Sequence, residues 1–176
     1  MRKSTIAIKN SPPVVNKLVV SKLVISTLAI STLAINILAL TACTPSPQTM
    51  ITIADARNSP AQIIDLGEAG DSIGDILVFD QPLLDKNKNK IGSNSGTCIR
   101  TRVDYSFQCQ WTLTFGNKSN SSGSIVVAGR EFDEGTSSVS IIGGTGIYSG
   151  ISGEMQSTNN NDGTFTQVLS YTIKER

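Results

Sequence analysis

The chain has 176 residues, with 15 Lys and Arg against 14 Asp and Glu, and no His. The absence of His excludes Ser-His-Asp and Cys-His catalysis and the common zinc sites. Five of the basic residues precede position 23, so the remainder carries ten against all 14 acids, a net charge of about −4. That balance excludes the basic surface of a nucleic-acid-binding protein, and we expect no nucleic-acid partner.

The first 42 residues have the pattern of an export signal. Basic residues come first, a largely apolar stretch runs from Leu23 to Leu40, and small residues lead to Cys43. This order is typical of secretory signals, and a Cys in that place resembles a bacterial lipobox. We therefore predict a cleaved signal peptide over residues 1–42 and lipidation of Cys43. The alternative is an uncleaved membrane anchor, for which about 20 apolar residues would suffice.

Residues 43–49 predict a short extended tether, because two prolines there interrupt helices and strand ladders. An acyl chain at Cys43 would hold the following domain at a membrane surface without spanning the bilayer. The expected location is the bacterial cell envelope, at the outer membrane or the cell surface. Residues 50–176 are enough for one domain with one core.

The domain over residues 50–176 is predicted to be all-β. Phe107–Phe115 and Phe165–Ile173 alternate between two faces, and most of the odd positions are apolar. Such alternation is typical of a strand with one buried and one wet face. No segment past residue 43 has a helical period. Further strands are predicted at 50–55, 61–66, 73–79, 97–103, 123–129 and 137–142. Eight or nine such strands form a barrel or a sandwich, and the pattern does not choose between them.

A glycine-rich run from Gly143 to Glu154 is interpreted as a strand that bends and meets another backbone closely. A phosphate loop would lead into a helix, and neither a helix nor a Walker Lys follows. Asp71 and Asp75 lie beside glycines and predict a turn rather than a catalytic pair. The run 85–90 resembles the start of a calcium-binding loop but lacks the Gly at its sixth position and the Glu at its twelfth. We therefore expect no metal site, and we expect no cofactor.

Cys98 and Cys109 remain as a pair if Cys43 is lipidated, in a protein exported to an oxidising compartment. A hairpin centred between Val103 and Asp104 would place them opposite each other, with Cβ atoms about 4.5–5.5 Å apart, near what a disulfide needs. Such a bond should stabilise the fold by roughly 3 kcal/mol. The alternative is two buried free thiols.

The same hairpin register puts Arg100 on the face that carries Phe107 and Trp111. A charge among aromatic rings is costly unless it is paired. Arg100 therefore either lies near an open end and pairs with an acid, or lines a cavity and meets an anionic or polar group of a ligand.

A family resemblance is carried by positions spread over roughly residues 50–173: Gly70-Asp71-Ser72-Ile73-Gly74-Asp75, Phe79, Gly92, Gly96, Cys98, Cys109-Gln110-Trp111-Thr112-Leu113, Gly143-Gly144-Thr145-Gly146, Gly150 and Gly153-Glu154-Met155. Together they resemble the allene oxide cyclase/dirigent superfamily, most nearly its secreted bacterial members, which have the same Cys pair. The resemblance implies an eight-stranded antiparallel β-barrel with a central apolar cavity. Plant members are often trimers, so a homotrimer or homodimer is expected.

In the plant branches the barrel holds a reactive, largely apolar intermediate in one conformation for ring closure or stereoselective coupling. Pro60 matches the cyclases' Ser-Pro after the first strand, Cys98 matches their cavity Cys, and Gln81 stands where they have a cavity Asn. Their catalytic Glu falls within residues 51–54, where this chain has no acid. An active allene oxide cyclase is therefore not expected, and any activity would be that of an isomerase.

These observations predict a lipid-anchored barrel that binds a small apolar or phenolic molecule and steers its coupling or cyclisation. The expected ligand contacts are Pro60, Gln81, Arg100, Phe107, Trp111 and Tyr171, and no residue is assigned a catalytic role. The first alternative is a structural or interaction module of the envelope, and the second is an isomerase. The barrel interior discriminates, because a cavity of several hundred Å3 supports binding and a filled interior supports the structural module.

Overall fold

The computed structural model describes residues 46–117 and 119–174, and every structural statement below concerns that part of the chain. The predicted signal peptide, Cys43 and the first tether residues lie outside it. Among the described residues, no helix is long and apolar enough to cross a bilayer. The polypeptide is already in a strand at Gln48, within the segment that the sequence assigns to the tether.

Nine strands and one short 3-10 helix make up the described domain. The helix is Gly146–Tyr148. The strands are β1 Gln48–Asp55, β2 Gln62–Ile64, β3 Ile76–Asp85, β4 Lys90–Arg102, β5 Ser106–Asn117, β6 Asn120–Phe132, β7 Thr136–Gly144, β8 Ile151–Asn159 and β9 Thr164–Ile173.

The strands form one antiparallel sheet that closes on itself. Its order is β1-β9-β8-β7-β6-β5-β4-β3-β2, and β1 also pairs with β3. Eight long strands therefore form a closed barrel, which confirms the predicted architecture. β1 pairs with the end of β3 through Leu83–Asp85, while the three-residue β2 covers the beginning of β3 at Ile76–Val78.

The β4–β5 hairpin has the predicted register around its cysteines. Cys98 lies opposite Cys109 and Arg100 lies opposite Phe107, before a bulge near Arg102 shifts the pairing. Cys98 and Cys109 form a disulfide, with their Cα atoms 4.0 Å apart. The alternation of buried and exposed side chains along β5 is also as predicted, because Cys109 and Trp111 are buried while Gln110 between them is exposed.

The glycine-rich run is not one bent strand. β7 ends at Gly144, the 3-10 helix follows, and β8 begins at Ile151. Only the first residues of β8 fell within that run, and no separate strand was predicted over 151–159, since its alternating residues include Ser, Thr, Gln and Glu instead of a clear apolar set. The predicted close backbone contact is present, because a Cβ on Gly146 would collide with the carbonyl oxygen of Ser122.

Gly96 of β4 makes room for the buried side chain of Trp111 on β5. The two residues are register partners, and a Cβ on Gly96 would collide with the Cβ of Trp111 and the carbonyl oxygen of Gln110. Because backbone and Cβ atoms cannot swing away, the two strands would have to separate to accommodate a larger residue.

Gly96→Ala should therefore lower the free energy of unfolding by about 2 kcal/mol through overpacking. Gly143→Ala is the matched control, because no atom lies within 4 Å of a Cβ built there. Urea unfolding of both variants measures the difference. Equal stability of the two variants would contradict the close packing of β4 against β5.

Candidate functional site

A cavity of about 630 Å3 lies inside one end of the barrel. Its walls come from the ends of β4 and β6 and from the beginnings of β3, β5 and β9. Because neighbouring strands are antiparallel, these segments lie at the same end of the barrel. Most of its exposed wall is apolar. The apolar contacts come from Ala54, Ala56, Pro60, Ala61, Ile63, Leu77, Phe79, Phe107, Trp111, Phe132 and Phe165.

The opposite end of the barrel is filled by side chains. Phe115 and Tyr148 pack with their ring centroids 4.8 Å apart, and both belong to a buried apolar cluster. Tyr148 comes from the 3-10 helix, and burial raises the pKa of its phenol. The barrel interior is therefore divided into a packed half and an empty half.

Five of the six predicted ligand contacts lie on the cavity wall, and Tyr171 does not. Tyr171 points inward but sits near the end of β9, opposite Gln48 and Gly153, within the packed cluster. Alternation along a strand predicts which face a side chain takes and does not predict its depth along the barrel. The five that line the cavity are Pro60, Gln81, Arg100, Phe107 and Trp111.

Arg100 is both paired and on the cavity wall. Its Nη1 donates to both carboxylate oxygens of Asp133, at 2.7 and 2.8 Å. The Asp71 carboxylate lies 2.6 Å from Nε, although that N–H is not directed at it, so this contact is electrostatic. The guanidinium carbon also lies 3.6 Å from the Phe107 ring centroid. These partners neutralise the Arg100 charge, as the ion-pair interpretation predicted.

Trp111 forms part of the floor of the cavity. Its side chain is 2 % exposed and meets the edge of Phe79, with ring centroids 6.5 Å apart. The indole N–H has no acceptor among the described residues. Trp111 is thus a core residue and a wall residue at once, which makes it a poor target for separating binding from stability.

Polar side chains form a band across the interior between β1, β9 and β4. Thr52 Oγ1 donates to Gln167 Oε1 at 2.9 Å, and Gln167 Nε2 donates to Asn94 Oδ1 at 3.4 Å. All three side chains are buried. Gln81 is also buried on the cavity wall, and its amide makes no hydrogen bond within the described residues. Its amide is therefore free to contact a ligand.

Glu131 of β6 brings a carboxyl group to the same cavity. It is the register partner of Phe107, and Ser157 Oγ donates to its Oε1 at 2.6 Å. Removal from water raises the pKa of Glu131, while the hydrogen bond from Ser157 opposes that change. The interior therefore contains an acid, supplied by β6 rather than by residues 51–54 of β1, where the resemblance placed it.

Sequence reasoning missed Glu131 because the predicted strand stopped at residue 129. The alternation of Ile125 and Val127 continues to Glu131 when the strand is extended by two residues. Gln167 was on the predicted inward face of its strand but was not singled out as a site residue. Ser157 lies on β8, which the sequence did not predict.

The loop before β3 is held at the cavity end by two aspartates. Asp75 accepts hydrogen bonds from the backbone N–H groups of Leu66 and Ser72, both at 2.8 Å. These bonds lower the pKa of Asp75. Asp71 accepts from the backbone N–H of Asp104 at 2.8 Å. Asp75 therefore shapes the turn before β3, as predicted, whereas Asp71 links this loop to the β4–β5 turn.

Solved structures similar to this chain share its barrel. One is pyocyanin demethylase, with 23% identity and a TM-score of 0.56 over 72% of this chain and 100% of that one. Another is a pterocarpan synthase dirigent protein, with 16% identity and a TM-score of 0.56 over 74% of this chain and 90% of that one. A third is a Diels-Alderase from Streptomyces koyangensis, with 16% identity and a TM-score of 0.56 over 75% of this chain and 71% of that one.

At these identities the likeness concerns the fold alone. A search among curated proteins found no match. A family model described as Dirigent-like protein matches residues 41–174, which is most of the sequence and includes the whole barrel. The chain therefore belongs to the Dirigent-like protein family.

Proposed function

We propose that this barrel binds a small, neutral, apolar or phenolic molecule and holds it in a conformation that favours coupling or cyclisation. The observation that carries the proposal is the cavity of about 630 Å3 at one end of the barrel. This volume is in the usual range of small-molecule sites. A filled interior, which would have favoured a structural module, is confined to the other end.

The chemistry of the wall supports a neutral ligand with an aromatic or extended apolar part. Phe79, Phe107 and Phe165 offer ring surfaces. Arg100 is neutralised by its two acids, and Glu131 and Asp133 are the acidic side chains on the wall. An anionic ligand would meet no unpaired positive charge among the described residues of the wall, so it would lose hydration without compensation.

The steering part of the proposal rests on shape. A rigid wall that holds one conformer of a flexible molecule lowers the entropy cost of joining its two ends. Proteins named as a pterocarpan synthase and as a Diels-Alderase have the same fold. Their names support a cyclase-type role here, which would make the protein an isomerase when the molecule only closes a ring.

Filling the cavity should weaken binding without disturbing the barrel. Leu77 lines the cavity, whereas Ile76 lies on the outer face, opposite the half-exposed Ile99. Leu77→Trp should weaken binding of the neutral fluorophore N-phenyl-1-naphthylamine by at least about tenfold, and Ile76→Trp should leave it unchanged. Fluorescence titration measures both, with melting temperatures as the folding control. Equal affinity of the two variants would contradict the assignment of the cavity as the binding site.

We further infer that the mature protein is anchored through a lipid on Cys43 and acts in the bacterial envelope. The support is the order of basic, apolar and small residues before Cys43. Cys43→Ser should move the protein from the membrane fraction to the soluble fraction or leave its signal uncleaved. Labelling with a clickable palmitate should mark the wild type only. An unlabelled wild type would contradict the anchor.

A further inference from the structure

Charged side chains are distributed unevenly between the two ends of the barrel. Ten acids and four arginines lie at the cavity end, within residues 55–75, 100–104, 130–134 and 162. The β3–β4 turn and the end of β9 lie at the packed end, because neighbouring strands are antiparallel. These two segments contain one acid, Asp85, and every lysine among the described residues: Lys86, Lys88, Lys90 and Lys174. The cavity end is therefore negative and the packed end positive.

The four lysines of the packed end, called the lysine face below, are open to a partner. All four are exposed, and none joins a salt bridge among the described residues. The carboxylate of Asp85 is used within its own turn, where it accepts from the backbone N–H groups of Asn87 and Asn89, at 2.8 and 2.9 Å. The positive charge of the lysine face is thus available to an anionic surface.

The lysine face flanks the strand to which the predicted lipid tether is joined. β1 lies between β3 and β9 in the closed sheet, so the β3–β4 turn is on one side of β1 and Lys174 on the other. Three peptide units separate Cys43 from Ser46, the first described residue, and they span at most about 11 Å. A lipid on Cys43 would therefore hold the packed end, and not the cavity, against the bilayer.

An exposed apolar side chain accompanies the lysines. Ile147, in the 3-10 helix of the packed end, is 65 % exposed. The backbone N–H of Lys174 donates to the carbonyl oxygen of Gly150 at 3.2 Å, which keeps Lys174 beside the connection that contains Ile147. A surface with this composition suits the interface of a bilayer, because the apolar group can enter the acyl boundary while ammonium groups remain among the phosphates.

We propose that the lysine face and Ile147 bind an anionic phospholipid surface, so that the cavity opens away from the bilayer. The opposite charges of the two ends set this orientation, since the same lipids that attract the lysines repel the acids of the cavity end. The proposal rests on the anchor inferred above only for the end that the lipid would hold, and the charge asymmetry does not depend on it. Ligands would then enter the cavity from the aqueous side.

Vesicle binding by the unlipidated mature chain tests the surface without the anchor. Cys43→Ser in residues 43–176 removes the lipidation site and keeps the whole closed barrel. This protein should bind phosphatidylglycerol vesicles at least about tenfold more tightly than phosphatidylcholine vesicles, because each lysine near an anionic surface adds attraction. The preference should fall as salt concentration rises, since salt screens exposed charges. Co-sedimentation at several salt concentrations measures both effects.

Removal of charge at either end identifies the binding surface. The test variant combines Lys86→Gln, Lys88→Gln and Lys90→Gln, and its preference for phosphatidylglycerol should fall at least about tenfold. The matched control removes three exposed positive charges from the cavity end: Arg57→Gln, Arg102→Gln and Arg130→Gln. The control should keep the wild-type preference. Melting temperatures show whether either variant has lost its fold.

A tryptophan placed at either end reports the orientation of the barrel. In vesicles of phosphatidylglycerol with brominated acyl chains, fluorescence of the Ile147→Trp variant should be quenched. Ile73→Trp is the matched control, because Ile73 is 71 % exposed in the loop before β3, at the cavity end, and it should not be quenched. The native Trp111 is buried and gives the same background in both variants.

The wild-type comparison decides the proposal even if a variant fails to fold. Equal affinity of the unlipidated chain for the two kinds of vesicle would overturn it. Binding to polyglutamate without binding to vesicles would also overturn it, in favour of an acidic protein partner, as would quenching of Ile73→Trp instead of Ile147→Trp. An anionic preference in a protein that takes no palmitate label would overturn the anchor alone.

Discussion

Closure of the sheet between β1 and β3 is the constraint on which the cavity depends. Only three residue pairs join these strands, at the end of β3, and the beginning of β3 is covered by the short β2. The chain between β1 and β2 therefore passes along the cavity and contributes Ala56, Pro60 and Ala61 to its wall. Small side chains in this connection leave space that larger ones would occupy.

Two large inward side chains of β5 lie opposite glycines of β4. From the cavity end, β5 presents Phe107, Cys109, Trp111, Leu113 and Phe115. Their partners on β4 include Gly96 opposite Trp111 and Gly92 opposite Phe115. Glycine opposite a large ring lets the ring lie close to the backbone, so the aromatic side chains pack instead of colliding.

Polar groups inside the barrel are arranged so that most of their bonding capacity is already used. The charge of Arg100 is neutralised by Asp71 and Asp133, which also tie the loop before β3 and the residue after β6 to β4. On the wall, Glu131, Gln81, Trp111 and Arg100 each retain a polar atom without a hydrogen-bond partner among the described residues. A mostly apolar cavity with few free polar groups can orient a ligand through those groups.

Much of the architecture could be predicted from the sequence, and less of the site. Strict alternation in Phe107–Phe115 predicted the inward face of β5, and the cysteine spacing predicted the hairpin register and the disulfide. The alternation could not show that Tyr171 lies in the packed half, because it contains no information on depth. Glu131 was missed because the predicted strand ended two residues before it, although the alternation of Ile125 and Val127 continues to Glu131.

A crystal structure of the mature domain with 2-naphthol tests the central claim most directly. We expect ring density in the cavity between Phe79, Trp111 and Phe165. A ligand bound elsewhere on the surface, or a cavity closed by its own side chains, would contradict the account.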